Sequence, residues 1–532
     1  MKTLRQIFLV CLILGIAQAT KGFADPVKVI AVEKHHDDGF GWSVALSGDF
    51  AMVSSPRRGA KGGRSGVVYP FARDGKDWKR SVPPEFDGND TAEGDEFGRS
   101  VSMSGDTAII GAAGHDGGGK NGSGAAYIFI GPGPRHAGRQ WKQQAKLTAQ
   151  DAAAGDQFGW SVAIDGHTVI IGSRFDDDNG KSSGAAYIFV REEETWKQQA
   201  KLTANDAAAS DNFGHFVSIR RGIAIVGAPK HAHGGLKQSG AAYIFVRDGE
   251  RWIQQAKLTA NDAAEKDQFG ASLSVTDDIA IVGAPLNDGA APDTGAAYIF
   301  LRDGDTWIRH AKLTAKDGEK NDQFGNDVSI SNNIVLIGAK FEDDVVTDAG
   351  AAYSFLREGD TWIEKEKVTL PLLDANWPMP HFGISVHIAG QFAIVGADTA
   401  DNDTGAAYIY NTAEDLDVPF AVDPSFLRPT MLGQVKRTAL YQNFPNPFNP
   451  ETWLPYRLAD EATVTFRIYN IQGRLVRELN LGVQQTGNYL DKHTAAYWDG
   501  RDQLGESVSS GLYVYNLHTG PFQATRRMVI LK

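Results

Sequence analysis

The sequence predicts an all-β protein: a seven-bladed β-propeller followed by a small β-sandwich. Three observations carry this. A Phe-Gly pair recurs seven times, at Phe40-Gly41, Phe97-Gly98, Phe158-Gly159, Phe213-Gly214, Phe269-Gly270, Phe324-Gly325 and Phe382-Gly383, with gaps of 57, 61, 55, 56, 55 and 58 residues. A tyrosine follows each pair by 26 to 30 residues (Tyr69, Tyr127, Tyr187, Tyr243, Tyr298, Tyr353 and Tyr408), six times in a Gly-Ala-Ala-Tyr context. Within each copy the apolar residues alternate and show no helical period. A period this regular marks one supersecondary unit copied along the chain.

The N-terminus reads as a secretory leader. Lys2 and Arg5 precede an apolar run at residues 7–17, too short for a membrane span of roughly 20 residues. Ala17-Gln18-Ala19 fits a small-x-small cleavage site, with Gly22-Phe23-Ala24 as a second option. Residues 1–24 are therefore expected to be removed. Cys11, the only cysteine, goes with them, which excludes disulfides and thiolate metal sites from the mature chain. No later segment is apolar enough to cross a membrane. A net charge of −12 argues against nucleic acid as a partner, since phosphate binding needs a basic surface.

Residues 25–412 hold the repeats. The fifth copy shows the unit. Residues 269–275 alternate as a strand, a short turn at Asp277-Asp278 leads to a second run at 279–285, and a longer loop leads to a third at 295–301. Asp303-Gly304 is a hairpin turn, and the fourth run carries Trp307. Four short antiparallel strands per repeat, seven times, suggest a propeller. The Trp-bearing strand occurs only six times (Trp78, Trp141, Trp196, Trp252, Trp307, Trp362), and residues 27–32 stand before the first Phe-Gly pair as residues 255–260 stand before the fifth. The N-terminal strand is thus expected to complete the last blade and remove the free edges. The Phe and Gly read as a core ring with close backbone approach, and the Tyr and Trp as inter-blade core with satisfied polar edges. An Asp two residues before the Phe in six copies (Asp38, Asp95, Asp156, Asp211, Asp267, Asp322) reads as a turn cap or as an acidic ring at the channel mouth.

Residues 413–440 form a Pro- and acid-containing linker, and residues 441–532 a last domain with turns at Gln472-Gly473, Asp499-Gly500 and Leu504-Gly505. Six or seven strands between those turns fit a small β-sandwich.

The pattern Phe213-Gly214 … Gly227-Ala228-Pro229, repeated at Phe269-Gly270 … Gly283-Ala284-Pro285, resembles the FG-GAP repeat of integrin alpha-chain propellers, in its bacterial extracellular branch. The resemblance implies a seven-bladed propeller used for adhesion or ligand binding. Integrin-type calcium loops are not carried over: the turn between the first two strands (Ser104-Gly105-Asp106, Asp165-Gly166-His167, Arg220-Arg221-Gly222, Asp277-Asp278) is too short to arrange about six or more oxygen ligands. No cofactor is expected, calcium being possible only outside integrin-type loops. The run from Asn443 to Thr452, with Ile468, Gly473, Trp498-Asp499-Gly500, residues 510–515 and residues 526–532, is similar to the C-terminal sorting domain of the type IX (Por) secretion system and to the related FlgD-type Ig-like domain. That implies export to, or attachment at, a bacterial cell surface through secretion machinery; an accessory Ig-like module is the other reading.

Parity places the loops after strands two and four of every blade on one face, and these are the longer, variable ones. Blade 1 offers Arg57, Arg58, Lys61 and Arg64 there. Blades 5 to 7 offer an acidic sector whose candidate ligand-binding residues are Asp343, Asp344, Asp348, Asp398, Asp401 and Asp403, with Asp176, Asp177 and Asp178 in blade 3. Such a sector can hold a cation or basic partner, or be solvated loop surface. No catalytic residues are assigned: the 13 histidines show no HExxH spacing, residues 114–120 lack the Ser/Thr and the following helix of a P-loop, and no Gly-x-Ser-x-Gly elbow is present. The expected function is a secreted or cell-surface protein, not an enzyme, binding an extracellular protein or glycan. An exported propeller hydrolase or lyase acting on polysaccharide is the alternative.

Overall fold

The computed structural model describes residues 26–412 and 438–530, apart from residues 32, 34, 84, 132–139, 372–378, 441–442, 444–450, 471, 473, 490–493 and 521. The expected leader with Cys11, almost all of the 413–440 linker and most of the 443–452 motif lie outside the described residues. No helix among those described is long and apolar enough to cross a membrane. The chain divides into two compact units, Met1–Phe420 and Ala421–Lys532.

The first unit contains seven four-stranded antiparallel sheets, the blades of a propeller. Blade 3 is representative, with strands Phe158–Asp165, Thr168–Ser173, Ala185–Glu192 and Thr195–Leu202 from the axis outward. The second strand of blade 6, Ile334–Ala339, is buried at all six positions. Neighbouring blades cover both faces of it, which is why such strands read as unbroken apolar runs rather than alternating ones. The outermost strands alternate because one face meets water.

The core lies between blades. Ile225 and Ile244 of blade 4 pack with Phe269, Val282 and Tyr298 of blade 5 in one buried cluster. Each Phe of a Phe-Gly pair meets the Tyr of its own blade at ring-centroid distances of 5.1 to 5.6 Å, in tilted or edge-on geometries aromatic pairs favour. The seventh sheet draws its outermost strand from the other end of the chain. Val27–Val29 runs antiparallel to Ala406–Asn411, with Val27 opposite Ile409 and Val29 opposite Ala407. The junction between blades 7 and 1 is then like the others: the Phe40 N–H donates to Thr404 O, as the Phe269 N–H donates to Ser239 O.

The structure refines three expectations. The Phe-Gly pair opens the innermost strand in blades 2, 3, 6 and 7, with a break in register just after it, whereas in blade 5 it stands outside the strand. Gly270 sits at φ +93°, Phe269 makes only an isolated bridge to Gly240, and the regular strand begins at Ser272. A left-handed glycine turns the chain and aims the next residue at the axis. The Asp before the Phe is a turn cap: the Asp156 carboxylate accepts the Ala153 N–H at 2.7 Å and the Asp267 carboxylate that of Ala264 at 2.9 Å. Burial of these acids is incompatible with an open acidic ring. The Trp indoles are only partly satisfied. Trp196, Trp252 and Trp307 donate to Gln144, Gln199 and Gln255, whereas the indole N–H groups of Trp141 and Trp362 are buried without a partner.

The second unit has nine described strands rather than six or seven. Four form one sheet in the order Leu475–Gln484, Ala462–Asn470, Gly511–Thr519, Phe522–Ile530; a three-stranded and a two-stranded sheet make up the rest. Trp498, Tyr456, Phe466 and Tyr515 fill the core of this Ig-like domain. Asn443, the first residue of its opening motif, is buried, donating its backbone N–H to the Tyr515 hydroxyl and its side-chain amide to Thr452 Oγ1. Gly500 and Gly505 adopt positive φ at their expected turns.

Candidate functional site

Strand pairing fixes which ends of the strands come together. Phe158 opposes Ser173, and Ser173 opposes Ala185, so the Phe-Gly end of the innermost strand shares a face with the loop between strands two and three. The residue after each Phe-Gly pair is therefore delivered to the axis on the loop-rich face. These residues, Trp42, Arg99, Trp160, His215, Ala271, Asn326 and Ile384, line an axial cavity of about 300 Å³.

Below them, the innermost strands solve a problem set by the architecture. Their axial edges have no neighbouring strand, so their N–H groups need other acceptors. Side chains of the preceding blade supply them. Ser43 Oγ accepts the Val101 N–H, Ser100 Oγ that of Val162, Ser161 Oγ that of Val217, and Asp327 Oδ2 that of Val386. Asp327 stands where most blades carry serine; its other oxygen accepts the Val328 N–H, and burial pushes its carboxyl up to about 7.

At the mouth, cations and aromatic rings alternate across blades 1 to 3. The Arg57 guanidinium lies 4.8 Å from the Trp42 ring centroid and that of Arg99 4.7 Å from it. Arg99 is also 3.6 Å from Trp160, and Arg174 is 3.0 Å from Trp160 and 4.3 Å from Phe175. The Trp160 and His215 rings are 5.9 Å apart. Arg57 has acidic partners, Asp37 at 3.0 Å and Asp398 at 3.8 Å. Arg99 has none among the described residues, and Arg174 only Gln157, at 2.9 Å from Nε. Burial pushes Arg99 down to about 10, with Glu96 opposing and Arg57 adding to the shift. Burial, and Arg99 after it, push Arg174 down to about 9. Both remain charged at neutral pH, beside a His215 that burial and these arginines hold neutral, near 3.

The acidic sector looks different. Its residues fall into a blade 6 group around Lys367 and a blade 7 group beside Arg57, joined through His381. In blade 6, Lys367 pairs with Asp317 at 2.7 Å, with buried Glu342 at 2.7 Å and with Asp344. Asp343 Oδ1 accepts the Asp348 N–H, shaping the loop, and Asp348 O accepts the His381 N–H. In blade 7, Asp398 is buried between His381, at 3.1 Å, and Arg57. Asp403 pairs with His36 at 2.8 Å, and Asp401 O accepts the Thr404 hydroxyl. Blade 1 is similar: Arg58 meets Asp38 and Glu33, Lys61 meets Asp87, and Arg64 meets Glu96.

The lysines belong to the repeat. In blades 2 to 6 the Tyr hydroxyl donates to an Asp that also holds a Lys of the outermost strand: Tyr187, Asp151 and Lys201 in blade 3, Tyr298, Asp262 and Lys312 in blade 5. Asp151, Asp176 and Asp178 are the one group among the described residues with carboxylates close enough for a metal ion, and the Lys201 ammonium contacts all three at 2.8, 2.8 and 2.5 Å. The ammonium thus stands where a cation would.

The FG-GAP repeat pattern matches residues 23–71, 87–129, 141–189, 196–245, 252–300, 307–355 and 377–410, one stretch per blade and over half the chain. The chain belongs to the FG-GAP repeat family. The FlgD Ig-like domain pattern matches residues 452–519. No curated protein matches the chain. Among solved structures it is similar to PorZ of Porphyromonas gingivalis, described as an essential bacterial surface component of the type-IX secretion system. Identity is 12% and the TM-score 0.43, over 95% of this chain and 61% of that one.

In this FG-GAP protein the two halves of the motif meet across each blade boundary. A Cβ on Gly227, from the Gly-Ala-Pro of blade 4, would lie 2.0 Å from the carbonyl oxygen of Gly270, from the Phe-Gly of blade 5. The repeat thus spells the contact between successive blades. The axial residues were not found by sequence reasoning, because each FG-GAP copy contributes only one. Their signal was present nonetheless: the residue after Phe-Gly is the most varied position in an otherwise uniform stretch, reading Trp, Arg, Trp, His, Ala, Asn and Ile.

Proposed function

We propose that this is a secreted or cell-surface binding protein that holds an extracellular partner on the loop-rich face of its propeller. One observation carries the reading. Most cations described around that face are paired with carboxylates, whereas Arg99, half-buried at the axial mouth, has no acidic partner among the described residues. A charge kept in a low-dielectric site without a partner costs stability, and such groups concentrate where a ligand supplies the partner. Export or attachment through the C-terminal Ig-like domain completes the proposal, supported by the match over 452–519 and the sorting-type motif around it. Binding rather than catalysis is favoured because the two His-Asp pairs in which both residues are buried are closed. His115 and His231 bond Asp95 and Asp211 on one ring nitrogen and Lys146 and Lys257 on the other.

The test is an array of glycans and matrix proteins probed with the full secreted chain, with release of saccharide products read in parallel. Retention of specific ligands without product supports the proposal; product release would replace it with the polysaccharide-cleaving alternative. A reporter fused to residues 441–532 tests the export role, and its retention in the periplasm of a type IX-competent host would remove that part.

A further inference from the structure

We propose that the axial mouth binds the oxyanion group, carboxylate or sulfate, of an acidic saccharide, with Arg99 and Arg174 as its direct ligands. The inference rests on the binding role proposed above and names the ligand class for it. Three observations converge. First, the guanidiniums lie over indole rings, Arg99 between Trp42 and Trp160 and Arg174 over Trp160. Stacking occupies the faces of a guanidinium and leaves its in-plane N–H donors for oxygen pairs, the geometry carboxylate and sulfate match.

Second, neither guanidinium has a carboxylate in contact among the described residues, and only Glu96 opposes their shifts from a distance. After burial, Arg99 lowers the basicity of Arg174, which requires the two charges to lie close together. Glu96, the acid whose charge acts on both, is bonded to Arg64 at 3.1 Å. Asp327, the carboxylate lining the same cavity, has both oxygens held by backbone N–H groups of the wall. An incoming anion therefore meets donors and no competing carboxylate. Third, the axial cavity that Arg99 and Trp160 line, with Arg174 stacked on Trp160 beside it, has the size and lining for a sugar. Its volume is about 300 Å³, and Ser43 and Ser100 line it with hydroxyls that accept from the wall and retain their own protons to donate. A ligand with one acidic group and several hydroxyls satisfies both levels, which a purely acidic peptide does not.

The experiment titrates the full chain calorimetrically, at low and at physiological salt, with oligogalacturonate, a sulfated disaccharide, a neutral oligosaccharide of equal length, and polyglutamate. The same probes are applied to Arg99→Met, Arg99→Lys and Arg174→Met. The acidic saccharides should bind and the neutral one should not, with affinity falling as salt rises. Arg99→Met should weaken binding at least about tenfold, as loss of charge-assisted hydrogen bonds implies, and Arg99→Lys by less. Thermal stability of Arg99→Met should be unchanged or higher, because an unpaired buried charge is removed; a purely structural ladder would lose stability instead. Equal affinity for the neutral probe, full affinity in Arg99→Met, or polyglutamate binding as tightly as the saccharides would each overturn the assignment. Loop-face binding of other array ligands that survives Arg99→Met would leave the broader reading standing, whereas a wild-type chain that binds nothing would sink both.

Discussion

Replacing Gly227 by alanine tests how the blades are held together. The added Cβ would sit 2.0 Å from Gly270 O and 3.1 Å from Gly270 C, and these are backbone atoms of the next blade. A carbon–oxygen contact relaxes at about 3.3 Å or more, so the overlap is roughly 1.3 Å. No side-chain rotation can relieve it. The second strand of blade 4 must move away from the innermost strand of blade 5 by about 1 Å, along a boundary where Phe269, Val282 and Tyr298 are fully buried. Gaps of that size forfeit a quarter to a half of each dispersion contact, and overpacking of an ordinary core already costs about 1–3 kcal/mol. A loss of about 3 kcal/mol or more is expected. The control is Gly249→Ala. That hairpin glycine has φ +63° with nothing within 4 Å, so only the left-handed backbone penalises the change, by about 1–2 kcal/mol. Denaturant unfolding followed by tryptophan fluorescence should separate the two variants by at least about 1 kcal/mol. Equal midpoints would refute the idea that close approach between blades is what requires glycine in the Gly-Ala-Pro half of the motif. Gly111, Gly172, Gly283, Gly338 and Gly396, where an added Cβ would likewise lie 2.0 to 2.2 Å from a Phe-Gly carbonyl oxygen, should behave like Gly227.

Lys201→Met leaves Asp151, Asp176 and Asp178 without their ammonium and should destabilise the chain by about 3 kcal/mol. Millimolar Ca²⁺ should restore part of the loss in the variant and do nothing for the wild type, read as melting temperature with and without chelator. Asp327 is protonated in the folded state at a pH where it ionises in the unfolded chain, so its contribution is full below about 4 and is lost as pH rises to about 7. Asp327→Asn should therefore gain on the wild type in urea midpoint between pH 4.5 and 8; a constant difference would contradict the buried-acid assignment. His215 has the opposite sign: held near 3 by burial, it contributes above about 6.5 and its contribution falls away toward pH 3, and His215→Gln should flatten acid unfolding in that window. Deleting residues 25–33 removes buried Val29 and exposes the edge of Ala406–Asn411, for a loss of at least about 2 kcal/mol; thermal unfolding identical to the full chain would contradict the closure.

Seven Phe-Gly pairs at a constant period made the blade count legible, and parity along four strands made the loop-rich face legible, because both depend on repetition. Charge compensation was not. Asp176 reads as an open acid in the loop after strand two, yet its ammonium comes from Lys201, 25 residues later on the outermost strand. Counting charge per loop therefore saw only one side of each pair, and the same holds for Asp344 and Lys367. The axial mouth was illegible for another reason. Arg99, Trp160 and Arg174 meet only because blades 2 and 3 converge at the axis, and no stretch of sequence contains the three as a motif. The bend at Gly270 was also hidden, since Phe-Gly-Ala-Ser alternates well enough to pass for strand.

The clasp between the two ends of the propeller has a temporal consequence. Val27 and Ile409 are neighbours in the sheet but 382 residues apart in the chain. Docking them onto an otherwise unfolded chain would forfeit about 5 kcal/mol of chain entropy, more than a three-residue strand returns. With the intervening blades already stacked, the ends stand side by side and that cost nearly vanishes. The first segment of the propeller to be synthesised is thus the last to find its place. Until it does, each molecule carries two mismatched edges that a second copy could fill.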